Sequence, residues 1–427
     1  MSDRRTLRIG RYHVLDRVSS GGMADVYRAK TVDPDGAERL VALKRVLEQY
    51  AEDKSFVKML VAEYRLAALL EHPNIARVYE LLRTPEGYFI VMEYVDGKDL
   101  RSSMHKAREL GHPFDVADSA YLMARAVDGL EHAHIATTKD GRPLRLVHRD
   151  LSPSNVLVGY DGSVKIIDFG IAKADVERER TAVGIIKGKV RYMSPEQAQG
   201  EPHLTGQSDV FSAGSVLYEL LSGVPAFSAQ SEVELIYAVR RAEPAPLQDI
   251  APQVPEPLVA IVKKAMARSR KDRFPSAAAF RDALVTFLRT WAPGYRRTRL
   301  ANTMKTLWHR EIEREIQTLL EFAMSDSPET QSEDLLALTT VEDSLRDLST
   351  SLDLGEIPAP AAATPLSEAP LAPTGDDAMG FVPPPDDLFA AEYAAFFNKT
   401  TVPAPQGDPG DVAAETVLPP ARRDQEP

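Results

Sequence analysis

Hydrophobic and polar positions change period twice along the chain. Residues 12–18, 26–31 and 40–46 alternate or run apolar around two turns, Gly21-Gly22 and Asp33-Pro34-Asp35-Gly36, which predicts strands joined by hairpins. Over 56–70 the period becomes helical, with Phe56, Leu60, Tyr64, Ala67 and Ala68 on one face and His72-Pro73 ending the run. Two more strands, 75–82 and 87–95, flank Thr84-Pro85-Glu86-Gly87. Connections this short favour an antiparallel sheet. Beyond Asp99 the spacing is helical, first over 117–134 and later over 210–221, 233–240, 256–267 and 276–288. Between them, 144–167 breaks into short apolar runs, and Tyr160-Asp161-Gly162-Ser163 separates 156–158 from 164–167 as a hairpin turn. Leu300, Met304, Leu307, Trp308, Ile312, Ile316, Leu319 and Leu320 mark one more amphipathic helix. The pattern predicts an α+β fold in two lobes, a small antiparallel-sheet lobe over about 12–95 and a mainly helical one over about 96–290, with a helical extension over 291–324.

Composition changes this picture at one end. The 427 residues carry a net charge of −12, but residues 325–427 alone hold 20 acidic against 4 basic side chains and 15 of the 31 prolines. Acid excess and proline clusters describe an acidic, Pro-rich disordered tail. One island interrupts it at 386–398, where Leu388, Phe389, Tyr393, Phe396 and Phe397 fall on one helical face behind Asp386 and Asp387, a docking motif for a groove on a partner or on the small lobe. The remaining residues are weakly basic, which suits a phosphorylated ligand but gives no basic stripe for nucleic acid. The absence of cysteine excludes a disulfide scaffold, a cysteine–zinc site and thiol catalysis. No apolar run is long enough for a secretory signal or a membrane span, so the expected location is the cytoplasm.

Five short constellations then follow in order. Val41-Ala42-Leu43-Lys44 lies on a strand, and Glu63 lies on the first helix. His148-Arg149-Asp150-Leu151 with Asn155 opens a loop, Asp168-Phe169-Gly170 follows a strand, and Ser194-Pro195-Glu196 comes later. With these the chain resembles the Hanks-type (eukaryotic-like) Ser/Thr protein kinases of bacteria, over residues 12–290. The resemblance implies a bilobal kinase fold, ATP with Mg²⁺ (or Mn²⁺), protein substrates phosphorylated on Ser or Thr (an EC 2.7.11.1-type activity), and autophosphorylation in signalling. A strand lysine suits the α/β-phosphates and a helix carboxylate can hold it, which assigns Lys44 and Glu63. Asp150 becomes the catalytic base. Asn155 and Asp168 offer the oxygen ligands that Mg²⁺ prefers. Val18, Val26, Ala42 and Leu157 match the adenine sandwich, Met92 the gatekeeper behind it, and Glu93 and Val95 the backbone that reads the base edge. His148 and Phe169 match packing residues under the site, Asp209 an anchor for the catalytic loop, and Glu196 with Arg273 a buried ion pair.

Three departures from the family stand out. The phosphate-covering loop, usually Gly-x-Gly-x-x-Gly, reads Ser19-Ser20-Gly21-Gly22-Met23-Ala24 and keeps only the middle glycine, which predicts weakened nucleotide binding. Where the family has a lysine two residues after the base, this chain has Ser152. Where the family has Gly-Thr, it has Gly188-Lys189. The sequence therefore predicts that Lys189 reaches Asp150 and the γ-phosphate while Ser152 makes the polar contact of the missing threonine. Thr181, in Arg178-Glu179-Arg180-Thr181, is the expected phosphosite facing Arg149. The alternative readings are a pseudokinase that binds nucleotide as a scaffold and a small-molecule kinase of similar fold.

Overall fold

Alternation builds the small lobe. Strands β1 (Arg8–Ile9), β2 (Tyr12–Ser20), β3 (Ala24–Val32), β4 (Glu38–Val46), β5 (Val78–Thr84) and β6 (Gly87–Glu93) form an antiparallel sheet in the order β1-β2-β3-β4-β6-β5. The computed structural model describes residues 8–21, 24–32, 36–138, 140–169 and 189–325; Gly22, Met23, Thr181 and the motif at 386–398 lie outside them. Because side chains alternate across a strand, β4 turns Val41 and Leu43 to one face and Ala42 and Lys44 to the other. The first face packs with Tyr12, Val14, Ala29, Phe89 and Val91. The second carries Val46 and Ile90 against Phe56, Val57, Leu60 and Val61 of helix α2 (Lys54–Ala67), which follows the short α1 (Glu48–Ala51). Asp53 caps α2 by accepting from the Ser55 and Phe56 amides.

Two boundaries differ from the sequence pattern. The strand expected from residue 75 begins at Val78, because Ile75 bridges in parallel to Ile166 and the Ala76 amide donates to the Ile166 carbonyl at 3.0 Å. The strand expected to reach 95 ends at Glu93, where the chain leaves toward β7 (Gly97–Asp99). A two-residue strand, β1, also precedes the expected start at 12. Apolar pattern alone carries no signal for it.

The large lobe is built around helix α4 (Val116–Ile135), which follows α3 (Leu100–Glu109). Leu122, Met123 and Leu130 of α4 are fully buried against α6 (Gly206–Ser222) and α10 (Ala277–Trp291), which contribute Phe211, Leu217, Phe280 and Leu284. A small sheet of β7, β8 (Val156–Gly159) and β9 (Val164–Ile166) lies on its surface. Gly162 makes the predicted hairpin turn with φ +80°, and a Cβ there would come within 2.4 Å of the Arg297 carbonyl. Two requirements thus fall on one glycine. The remaining helices are α5 (Pro195–Ala198), α7 (Glu232–Arg241), α8 (Leu247–Ile250), α9 (Glu256–Ala265) and the long α11 (Arg297–Ser325).

Helix α11 is part of the large lobe rather than an appendage. Leu300, Met304 and Leu307 are buried in its core. The buried carboxylate of Asp118 accepts from the Tyr295 hydroxyl at 2.5 Å and the Thr303 hydroxyl at 2.7 Å. At Trp308 the backbone leaves helical geometry (φ −117°, ψ 16°), and the indole N–H donates to Ser103 Oγ at 3.3 Å. The ammonium groups of Lys98 and Lys106 approach the indole ring at 5.8 and 5.4 Å, and pair with Glu315 at 2.6 Å and Glu311 at 3.1 Å. Met304→Ala is expected to cost about 2–5 kcal/mol of stability and to expose α11 to limited proteolysis. Unchanged urea unfolding and unchanged cleavage would show that the helix does not depend on this contact.

Candidate active site

The alternation that sends Val41 and Leu43 into the core leaves Lys44 on the opposite face, toward the cleft, beside Val26, its cross-strand partner on β3. Its Nζ donates to Asp168 Oδ1 at 2.6 Å, joining the small lobe to the segment after β9. Asp168 has φ +59°, a left-handed backbone that few residues other than glycine adopt. Glu63, on α2, lines a cavity together with Met92, Ile166, Asp168 and Phe169. The predicted lysine, helix glutamate and metal-binding aspartate are therefore gathered behind one cleft. Ala42 lies opposite Met92 across the sheet, and Leu157, half-buried on β8, pairs with Asp99 just past the connection between the lobes. Val18 is exposed at the tip of β2, as are Ser19, Ser20 and Gly21. The Glu93 carboxylate accepts from Lys165 at 2.9 Å and from the Arg77 amide at 3.1 Å, so any contact of Glu93 with a base edge falls to its backbone. Val95 follows in the connection itself, half-buried.

The loop bearing Asp150 is held from below. Asp209, fully buried at the start of α6, accepts from the His148 amide at 2.7 Å, the Arg149 amide at 2.9 Å and His134 Nε2 at 2.7 Å. Burial pushes its carboxyl up, but the hydrogen bond and charge of His134 outweigh this and hold it below the ordinary carboxylate value. These bonds keep Arg149 at φ +65°. His148 is buried against Phe169 (ring centroids 4.8 Å apart), and its Nε2 lies 3.0 Å from the Ile167 carbonyl. The loop and the Asp168 segment are thus locked together.

At the centre, Asn155 Nδ2 donates to the Asp150 carbonyl at 2.7 Å and to Asp150 Oδ2 at 3.1 Å. Lys189 Nζ donates to the same Oδ2 at 2.6 Å. Ser152 is buried, but its hydroxyl has no hydrogen-bond partner among the described residues, so the polar contact expected of it is not seen. Asn155 bonds Asp150 through its N–H groups, and its amide oxygen is the atom of ligating character. With the Asp168 carboxylate, the donor set is hard oxygen, which fits Mg²⁺ or Mn²⁺ completed by phosphate and water.

Below this centre, Glu196 and Arg273 form a buried bidentate pair at 2.7 and 2.8 Å, and the Ser208 hydroxyl donates to Glu196 at 2.7 Å. Burial raises the Glu196 carboxyl, yet Arg273 and Ser208 together hold it down at about 2. Sequence reasoning missed two supports, His134 and Gln197. Gln197 closes a capping box with Ser194 and donates to the Arg149 carbonyl at 2.7 Å. The Ser-x-x-Gln spacing was a usable signal for that cap. Nothing in the sequence points His134 at Asp209.

Residues 12–285 match the family described as the protein kinase domain. Over 279 residues the chain is 41% identical to the tyrosine-protein kinase MasK of Myxococcus xanthus, covering 65% of this chain and 43% of that protein. It is 35% identical to the serine/threonine-protein kinase PrkC of Bacillus subtilis, covering 63% and 39%. The same identity links it to PknB of Mycobacterium tuberculosis, covering 64% and 42%. The chain therefore spans less than half the length of each of these relatives. The PknI kinase domain of M. tuberculosis superposes with a TM-score of 0.50 at 24% identity, covering 66% of this chain and 97% of that one, a likeness of fold.

Proposed function

The chain belongs to the protein kinase family, and from that premise we propose that it is an active Ser/Thr protein kinase, transferring the γ-phosphoryl group of ATP to protein hydroxyls. The observation that carries this reading is the convergence at one cleft of Lys44 on Asp168 (2.6 Å) and of Asn155 on Asp150 (3.1 Å). A scaffold that only bound nucleotide would not need both halves.

In this reading Val26, Ala42 and Leu157 sandwich the adenine, and Lys44, steadied by Glu63, neutralises the α/β-phosphates. Asn155 and Asp168 would hold Mg²⁺, which when bound offsets charge on the phosphate oxygens. The Asp150 carboxylate orients the acceptor hydroxyl and takes its proton as the new P–O bond forms. Asp209, through the His148 and Arg149 amides, keeps that carboxylate in place. No helix among the described residues is long and apolar enough to cross a membrane. The cytoplasm, where ATP is abundant, is the proposed site of action.

The test is autophosphorylation of the purified chain with ATP and Mg²⁺ beside Asp150→Ala. Phosphoserine or phosphothreonine should accumulate in the wild type, and the variant should lose at least about 10²-fold in rate. Equal incorporation by both would end the assignment of Asp150. Phosphotyrosine alone would move the acceptor class to that named for MasK.

A further inference from the structure

The catalytic loop lacks a cation where one is needed, and the geometry beside it shows where one stands. Phosphoryl transfer spreads negative charge over the equatorial oxygens of the transferring group, so a positive group near the base matters to the rate. Two residues past Asp150 the chain offers only Ser152, which is 2% exposed, with a hydroxyl lacking a hydrogen-bond partner among the described residues. That position carries no charge and is sealed by packing. Lys189 lies 39 residues past Asp150 and reaches its Oδ2 at 2.6 Å, the oxygen that Asn155 also contacts.

Lys189 is aimed by its backbone. It caps the 3₁₀ turn Val190–Tyr192, accepting from the Tyr192 amide at 3.1 Å, and both Val190 and Tyr192 are buried. The Tyr192 hydroxyl donates to Glu219 at 2.6 Å on α6. Gln197 ties the same stretch to the Arg149 carbonyl, one residue before the base. The turn that bears the lysine and the loop that bears the aspartate are thus pinned to a common floor. The Lys189 side chain is 32% exposed and that of Asp150 13%, so the pair lies at an open edge of the cleft rather than inside the core.

Building on the kinase reading above, we propose that Lys189 is a catalytic residue, supplying from the segment before Ser194 the positive charge that the catalytic loop does not. The acceptor oxygen attacks the γ-phosphorus, and the bond to the β–γ bridging oxygen breaks with its electron pair leaving on ADP. The acceptor proton passes to Asp150. Lys189 holds Asp150 through one N–H and stabilises the charge growing on the phosphoryl oxygens beside it. An ammonium, with three donors on a flexible stem, suits both tasks. Mounting this charge on the segment rather than on the loop has a regulatory consequence. The site acquires its cation only when the 189–192 turn is seated, so seating and chemistry become one event.

The experiment compares steady-state kinetics of the full chain in wild type, Lys189→Met, Lys189→Arg and the double variant Ser152→Lys/Lys189→Thr. Melting temperature and affinity for a non-hydrolysable ATP analogue with Mg²⁺ establish that each is folded. Lys189→Met should lower kcat by about 10²–10³-fold with the KM for ATP and the melting temperature little changed. Lys189→Arg should retain at least about tenfold more activity than Lys189→Met, because the charge survives. The double variant should recover part of the loss if lysine from either position serves. A folded Lys189→Met with kcat within about threefold of wild type, or above it, overturns the proposal, since Lys189 would then be a bystander or a lock on the base. So does Lys189→Arg no better than Lys189→Met. A wild-type chain without turnover would instead remove the kinase reading itself.

Discussion

Arg273→Ala is expected to destabilise the large lobe by about 3–5 kcal/mol, the cost of stranding a buried charge. Both side chains of the Glu196–Arg273 pair are at most 3% exposed, so solvent cannot take over from the lost partner. Arg273 also donates to the Ala267, Gln207 and Arg268 carbonyls at 2.7, 2.9 and 3.0 Å, and its guanidinium lies 4.9 Å from the centre of the Phe211 ring. Its removal leaves the Glu196 carboxylate and three carbonyls without that donor. The effect depends on pH in a stated direction. Glu196 titrates at about 2 in the folded chain against an ordinary 4.5, so the stability it confers is complete above about pH 4.5 and lost as pH falls toward 2. The wild-type advantage over Arg273→Ala should therefore shrink as the pH falls from about 5 to about 2. Urea unfolding at neutral and acid pH measures both. A gap below about 1 kcal/mol at pH 7, or one that grows on acidification, would contradict the account.

Asp209→Ala is expected to cost about 10²-fold or more in kcat, although Asp209 is fully buried beneath the loop that bears Asp150. Its carboxylate holds two consecutive amides, those of His148 and Arg149, and the second belongs to a residue at φ +65°. A non-glycine residue stays in that region only while its surroundings impose it, at about 1–3 kcal/mol. Without Asp209 the buried His148 amide and the partly buried Arg149 amide lose their acceptor, and Arg149 is free to relax, carrying Asp150 away from Asn155. Asp209→Asn, which keeps one acceptor oxygen, should fall between wild type and alanine. Equal kcat for all three, with folding intact by circular dichroism, would show that the loop holds its own shape.

Most of this architecture was legible because two kinds of signal coincide. Period-2 and period-3.6 patterning located the strands and long helices, since burial on one face leaves a regular trace in sequence. Lys44, Asp150, Asn155 and Asp168 stood out because phosphate, metal and proton each demand a side-chain type at a set spacing. What stayed hidden depends on contacts between distant segments. The strand expected from Ile75 gave way to a bridge with Ile166, a pairing decided 91 residues away and invisible to local pattern. His134 reads as an ordinary helix-end residue until Asp209 is placed beside it. Lys189 could be suspected as a displaced charge, but its contact with Asp150 depends on how the turn at 190–192 is anchored. The same limit left unforeseen that the Ser152 hydroxyl has no partner among the described residues.

Helix α11 decides where the rest of the chain starts. It is fixed at one end by Asp118, passes Lys98 at Glu315, and runs on to Ser325, about 15 Å further at 1.5 Å per residue. Lys98 lies on β7, the strand that follows the connection between the lobes, and the charge of Glu315 reaches Arg28 on the small-lobe sheet. The end of α11 is thus within roughly 25 Å of that connection. The two lysine–glutamate pairs beside Trp308 tie α11 to β7 and α3, so the end of the helix keeps its distance from the connection between the lobes.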